Sequence, residues 1–399
     1  MTRALALLAL VSANAALWHE IDQQGTLPPV RGEMSAVRAG RRLVMHGGCD
    51  IEFAKYFNDT WAFDLDKYTW SRLATTGTAP AACGHGAALA GDSMLIFGGL
   101  VAGAAVGADS DALHVLDLRT LRWSRRTRVT AASAPEPWPP RRALIQHSMV
   151  ALGCRPSTST RTRTSTSLQS ASALCAVAVV AGTSSSAGDD ESAWAYEWEE
   201  TGSVLTSGRW RRLSAGQAGQ LNVGGASAIV VPGSTPRGSS SSSSSSNCSA
   251  LFVLGGFRTD LEAPNSTLAD FDTLALGSRG PQQRFKPVAL PPAPGAGTAL
   301  APRLAFHAAV WHDGCVVVAG GFNPSTVSGD VWVFSVASSR WRRLDLHGSV
   351  PPPHFAQGVV YDADTASLVA YGGRIHPTGH DEELATDMWR LDLNTTHCR

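Results

Sequence analysis

Histidine, arginine and clustered carboxylates are the residues in this chain whose types and spacing point to chemistry. His85, His147 and His307 recur at matching places in three similar segments. Three imidazoles at equivalent positions of a closed repeat would face one axis and could converge on a metal. Met34 and Gln357 stand at the matching places elsewhere, so the expectation is a structural ring without a metal. A second concentration follows Gly373, where RIHPTGHDEELATD gathers His376, His380, Asp381, Glu382 and Glu383. On a loop this spacing fixes no ligand geometry, and it reads as a solvated charged loop. Arg31, Arg142, Arg303 and His354 each precede a strand-like run and are the candidate binding residues. The chain has no nucleophile elbow, phosphate-cradling glycine loop or paired-cysteine zinc motif, so no catalytic residue and no cofactor is expected.

The elements that must position these residues are marked by glycine pairs. Five apolar runs end in one: LVMHGG, MLIFGG, FVLGG, VVVAGG and LVAYGG. A sixth copy closes on Ala181 and Gly182. Where nothing is inserted the spacing is about 51 residues, as from Gly48 to Gly99. That period belongs to four-stranded repeats and not to helical ones. In the fifth copy the strands read HAAVW, CVVVAGG, DVWVFSV and RWRRLDL. The excess length of the third and fourth copies is low-complexity sequence near 155–172 and 234–248, expected to be disordered. Both inserts fall between the first and second strands of their copy.

The glycine pair after four apolar residues, with spaced aromatics and a Pro, Arg and His tendency opening each copy, resembles the kelch-repeat family. The resemblance covers nearly all of 16–399. It implies an all-β, six-bladed kelch β-propeller, whose last blade is completed by an N-terminal strand around Trp18. Trp61, Trp194, Trp332 and Trp389 then pack between blades. The three histidines belong to the repeat, and the four candidate residues line a channel mouth. A kelch propeller implies a binding or adaptor module engaging a protein or glycan partner through blade loops. The alternative is a carbohydrate-active enzyme, similar to a sialic-acid mutarotase or a galactose oxidase. The Glu-x3-Asp-x3-His iron motif of specifier proteins is met by Glu383 and Asp387 but fails at Leu391. Galactose oxidases need a tyrosine–cysteine pairing, for which Tyr56, Tyr68, Tyr196, Tyr361 and Tyr371 suggest no candidate.

The address is read from the ends. Residues 1–15 carry one charge at Arg3, an apolar core from Ala4 to Val11, and Ala13 and Ala15, as in a secretory signal cleaved after Ala15. That core is too short to span a bilayer. Asn58, Asn247, Asn265 and Asn394 are sequons, fitting a secreted or secretory-lumen protein. Seven cysteines leave at least one without an intrachain partner. Cys154 with Cys175, flanking the third-copy insert, and Cys49 with Cys83, on neighbouring copies, are the candidate disulfides. Basic and acidic residues are equal at 33 each, which argues against nucleic acid as a partner.

Overall fold

A computed structural model describes residues 15–50, 55–102, 112–126, 145–156, 173–182, 193–201, 204–214, 223–232, 250–257, 271–276, 286–288, 302–375, 383–394 and 396. All regular structure among them is β-strand. Six sheets of four or five strands account for most of it. Sheet 1 joins Ser35–Ala39, Arg42–His46, Thr60–Asp64 and Thr69–Arg72, and sheet 2 runs from Gly86–Ala90 to Arg122–Arg126. Sheet 3 spans Ser148–Pro156 to Val204–Arg212, sheet 4 Ser227–Val231 to Lys286–Pro287, and sheet 5 Ala308–His312 to Arg340–Arg343. Sheet 6 holds Gly358–Asp362, Ser367–Tyr371 and Met388–Asp392, and its fourth strand is Ala15–Glu20, antiparallel to Met388–Asp392. Trp18 faces Leu391 in that ladder. The repeat is therefore a β-propeller: short antiparallel sheets arranged so that few edges are left open.

The sheets are tied at their first strands by a closed chain of backbone hydrogen bonds. Gly84 N–H donates to Glu33 (3.0 Å), Gln146 to Gly84 (2.8 Å), Gly225 to Gln146 (2.8 Å), Phe306 to Gly225 (2.8 Å), Ala356 to Phe306 (3.0 Å) and Glu33 to Ala356 (3.4 Å). The last bond returns to the first residue. All six residues sit at φ between 53° and 64°. Glu33, Gln146, Phe306 and Ala356 bear the left-handed cost that glycine avoids. The bonds to neighbouring sheets hold them there.

The glycine pairs are the seam between neighbours. At Gly255–Gly256, a Cβ on Gly255 would come within 2.4 Å of the Leu304 carbonyl and 2.9 Å of the His307 ring, both from the next sheet. Gly256 N–H donates to that same Leu304 carbonyl at 2.8 Å. A first side chain is thus excluded by the histidine that opens the next sheet. Sheet 3 departs from the pattern with Ala181, at φ 61°, yet Gly182 N–H still donates to Val223 at 2.7 Å. The reason lies one sheet on, where the place of His307 is taken by Ala226. Ala181 and Ala226 share one buried cluster, so the methyl on one side replaces imidazole volume on the other. Ala226→His is therefore expected to overpack this seam and cost about 1–3 kcal/mol. Ala181→Gly added to it should restore most of the loss. Urea denaturation of both variants checks this, and a double variant no more stable than Ala226→His would refute the complementarity.

The outer edges of sheets 1 and 6 are also covered. Gln24–Gly25 runs parallel to Thr69–Trp70, and Asp345–Gly348 runs parallel to the N-terminal strand from Ala15 to Trp18. Each connection thus shields an edge that would otherwise template association. Sheets 6 and 1 meet through a charged clamp at the end opposite the glycine pairs. Arg41 holds Asp66 at 2.7 Å and Asp362 at 2.8 Å, and Arg38 reaches Asp362 at 2.9 Å. Burial pushes the Asp362 carboxyl up, but the hydrogen bonds from Arg41 and Thr365 hold it below the usual range. The Ser-rich stretches at 157–172 and 233–249 lie outside the described residues, between first and second strands of sheets 3 and 4. Residues 1–14 lie outside them as well.

Candidate functional site at the glycine-pair end of the channel

The repeated histidines do not converge as ligands. His85, His147 and His307 are 6–7% exposed, and their rings lie against glycines of a neighbouring sheet. Burial pushes His307 down to about 4 and His85 well below its ordinary range. Two further buried histidines join them. His46 contacts Thr60 Oγ1 and the Pro80 carbonyl, each at 3.0 Å, and burial brings it to about 4. His114 stands at the third-strand place where other sheets carry tryptophan, and burial again brings it to about 4. Sequence reading passed over both, because one hides in an apolar run and the other breaks the tryptophan pattern.

Arg31 and His354 open equivalent strands and meet equivalent partners. Arg31 is fully buried; its guanidinium takes Asp59 at 2.5 and 3.1 Å and the Gly47 carbonyl at 3.0 Å. Its Nε donates to the Pro29 carbonyl at 2.9 Å. His354 contacts Asp387 at 3.2 Å and the Pro352 carbonyl. Each aspartate also accepts from an indole two residues on, Trp61 at 2.7 Å and Trp389 at 2.5 Å. Burial would raise both carboxyls, but hydrogen bonds from Arg31 and Trp61, or from His354 and Trp389, hold them low. These two candidates thus serve Asp-x-Trp units within their own sheets. Arg303 is exposed, and Arg142 lies outside the described residues.

A different set reaches the channel mouth. The hydrogen-bonded ring presents Glu33 from sheet 1, Gln146 from sheet 3 and Phe306 from sheet 5, all partly exposed. Arg374, from a small separate sheet with His354–Phe355 and Glu383–Leu384, lies 3.8 Å from Glu33. Phe306 is flanked by Phe257 at 5.6 Å and Phe355 at 6.3 Å, and Phe322 stands 5.4 Å from Phe355. An ion pair thus occupies one arc of the mouth and an aromatic surface another. Deeper in, the half-buried positions of the first strands include Ala36, Ala87, Val150, Ala228, Ala309 and Val359, with Arg38 two residues beyond Ala36. The residues opening each first strand differ in type from sheet to sheet, so no sequence pattern singled them out.

Both candidate disulfides are present, Cys49–Cys83 between sheets 1 and 2 and Cys154–Cys175 within sheet 3. Cys315 is disulfide-bonded too. Of the sequons, Asn58 is exposed beside a cleft of about 400 Å³ lined by Asp59, Arg72, Thr75 and Gly77. Asn394 is exposed and its amide donates to Asp392 and Thr365. Asn247 and Asn265 lie outside the described residues, as do His376, His380, Asp381 and Glu382. No helix of the described residues is long and apolar enough to cross a membrane.

Strand-only repeats joined at glycine pairs define a propeller scaffold, and comparison with known proteins gives the lineage. Residues 3–169 match the KLHDC2/KLHL20/DRC7 Kelch-repeats domain, and residues 303–345 match the Kelch motif. The chain belongs to the kelch-repeat family. Among curated proteins it is similar to acyl-CoA-binding domain-containing protein 5 of Arabidopsis thaliana, 36% identical over 30% of this chain and 18% of that protein. Kelch domain-containing protein 10 of Homo sapiens is 31% identical over 27% of this chain and 24% of its own length. Dynein regulatory complex subunit 7 of Chlamydomonas reinhardtii is 40% identical over 21% and 7%. The match thus spans a quarter or less of these relatives. A kelch domain is a protein-interaction scaffold, and that class is what the family supports.

Proposed function

We propose that the chain is a secreted interaction module that engages a protein partner at the glycine-pair end of its six-sheet ring. The supporting observation is the convergence of Glu33, Arg374, Gln146 and Phe306 from four different sheets on one mouth. Glu33, Gln146 and Phe306 are held at left-handed geometry by the ring, a rigid setting for a contact surface. Phe306 and Phe322 supply the kind of rigid aromatic anchor that dominates protein interfaces, and Glu33 and Arg374 supply charges that orient a partner. Secretion rests on the N-terminal apolar segment, the sequons and the paired cysteines, since disulfides persist in oxidising compartments.

The test is a pull-down with the secreted chain, comparing wild type with Phe306→Ala/Phe322→Ala and with Arg119→Glu at the opposite end. The aromatic double variant is expected to lose captured protein while Arg119→Glu retains it. Capture insensitive to the first variant, or glycan-array binding in place of protein capture, would overturn the reading. Secretion has its own check. Asn58→Gln should remove one glycosidase-sensitive mobility step from the secreted protein, and a chain with no glycan at all would defeat that part.

A further inference from the structure

Beside the mouth, Glu33, Cys49 and Cys83 bring one carboxylate oxygen and two sulfurs within 4.8 Å of one another. They form the one such group of metal-ligating side chains among the described residues. The two cysteines are 1% and 0% exposed, and the Glu33 side chain is 11% exposed. Each ligand sits on backbone fixed by its neighbours. Cys49 and Gly32 exchange hydrogen bonds of 2.9 and 3.0 Å, Gly84 donates to Glu33, and Gly48 donates to Ala82 at 2.9 Å. The cysteine Cα atoms are 5.4 Å apart. Two thiolates on a tetrahedral zinc stand roughly 3.8 Å apart, from Zn–S bonds near 2.3 Å, which this separation accommodates. Two sulfurs and one carboxylate are a soft, zinc-type donor set with an open fourth position.

We propose that when the Cys49–Cys83 disulfide is reduced, these three residues bind one Zn²⁺ ion at the junction of sheets 1 and 2. Two small-molecule thiols supply the electrons. They become one disulfide, the Cys49–Cys83 bond breaks, and each cysteine leaves with a proton. Zinc then displaces both thiol protons, and water fills the fourth position. Disulfide and metal are alternative closures of the same seam, so the site is occupied in reducing surroundings and absent in oxidising ones. Arg374, 3.8 Å from Glu33, competes with the metal for the carboxylate.

The full chain, reduced and freed of reductant, is titrated with Co²⁺ and then Zn²⁺. Expected are one bound ion per chain, a thiolate charge-transfer band with Co²⁺ that Zn²⁺ abolishes, and a Zn²⁺-dependent rise in melting temperature seen only in the reduced chain. Cys154→Ser/Cys175→Ser should bind as wild type does. Glu33→Gln, which keeps both thiols, should weaken Co²⁺ by more than about 100-fold, the upper end of what an outer-shell partner contributes. Arg374→Ala should tighten it. Cys49→Ser should lose the band, and mass-spectrometric mapping of alkylation in the wild type should show Zn²⁺ protecting Cys49 and Cys83. No binding by the reduced chain, unfolding on reduction despite added Zn²⁺, or protection that maps to Cys154 and Cys175 would overturn the proposal.

Discussion

Lowering the pH from 7 to 4.5 should cost this protein much of its stability, before its ion-paired aspartates lose their contribution. His46 and His307 are buried and neutral, with pKa values brought from 6.5 to about 4 by loss of solvation. The unfolded chain binds their protons below pH 6.5, whereas the folded chain refuses them down to about 4. The stability they permit is therefore complete above pH 6.5 and lost as pH falls toward 4. Each contributes roughly 3 kcal/mol at the lower limit, and the pair about 6 kcal/mol. Typical domains have only about 5–15 kcal/mol in total. His114 and His85 act in the same direction. The aspartates with lowered pKa, Asp59, Asp362 and Asp387, act in a separate window, keeping their contribution above about pH 4 and losing it below. Melting temperature measured from pH 7.5 to 4 reads the effect. Gln357 already fills the place of His307 in sheet 6, so His307→Gln should fold at pH 7 and flatten the profile. A melting temperature indifferent to pH above 4.5, or an unchanged slope in His307→Gln, would refute the assignment.

Replacing Asp59 by alanine should destabilise the chain by about 3–5 kcal/mol, the usual consequence of stranding one member of a buried ion pair. Arg31 is fully buried and takes Asp59 through two nitrogens, and Trp61 gives its indole N–H to the same carboxylate. Losing Asp59 thus leaves a cation and an indole donor inside the protein, with the Gly47 and Pro29 carbonyls and the Phe57 ring, 3.9 Å from the guanidinium, to soften the charge. Removing both charges is a different experiment. Arg31→Met with Asp59→Leu fills the space with apolar groups and should cost far less than Asp59→Ala alone. Equilibrium urea denaturation of the three variants gives the comparison. A loss below about 1 kcal/mol for Asp59→Ala would show that the pair is solvated and not structural.

These two sites also mark where sequence reading stopped. The strands of sheet 5 lie where their hydrophobic pattern places them, from Ala308–His312 to Arg340–Arg343. The pairing of Trp18 with the last sheet and both candidate disulfides were legible as well, because each follows from repeat position. Arg31 and His354 were found by the same logic, but position in the chain does not say which way a side chain turns. Both turn toward an aspartate of their own sheet. Glu33, Gln146 and Phe306 went unnoticed for the converse reason. Their shared feature is a backbone conformation and a hydrogen bond to the next sheet, and neither leaves a mark on residue type.

By itself the sequence determined what local patterning can carry: alternating apolar strands, glycine pairs at their ends, and a period of about 51 residues. Those are short-range properties, written in adjacent residues. Only the tertiary structure decided why Ala181 is tolerated where five copies have glycine, since the answer is Ala226 in the next sheet. It alone placed Glu33 beside Cys49 and Cys83, residues 16 to 50 positions apart in the chain. Contacts between sheets join residues tens of positions apart in the chain, and their volumes and charges must balance in space. That balance is set by packing, which no single repeat contains.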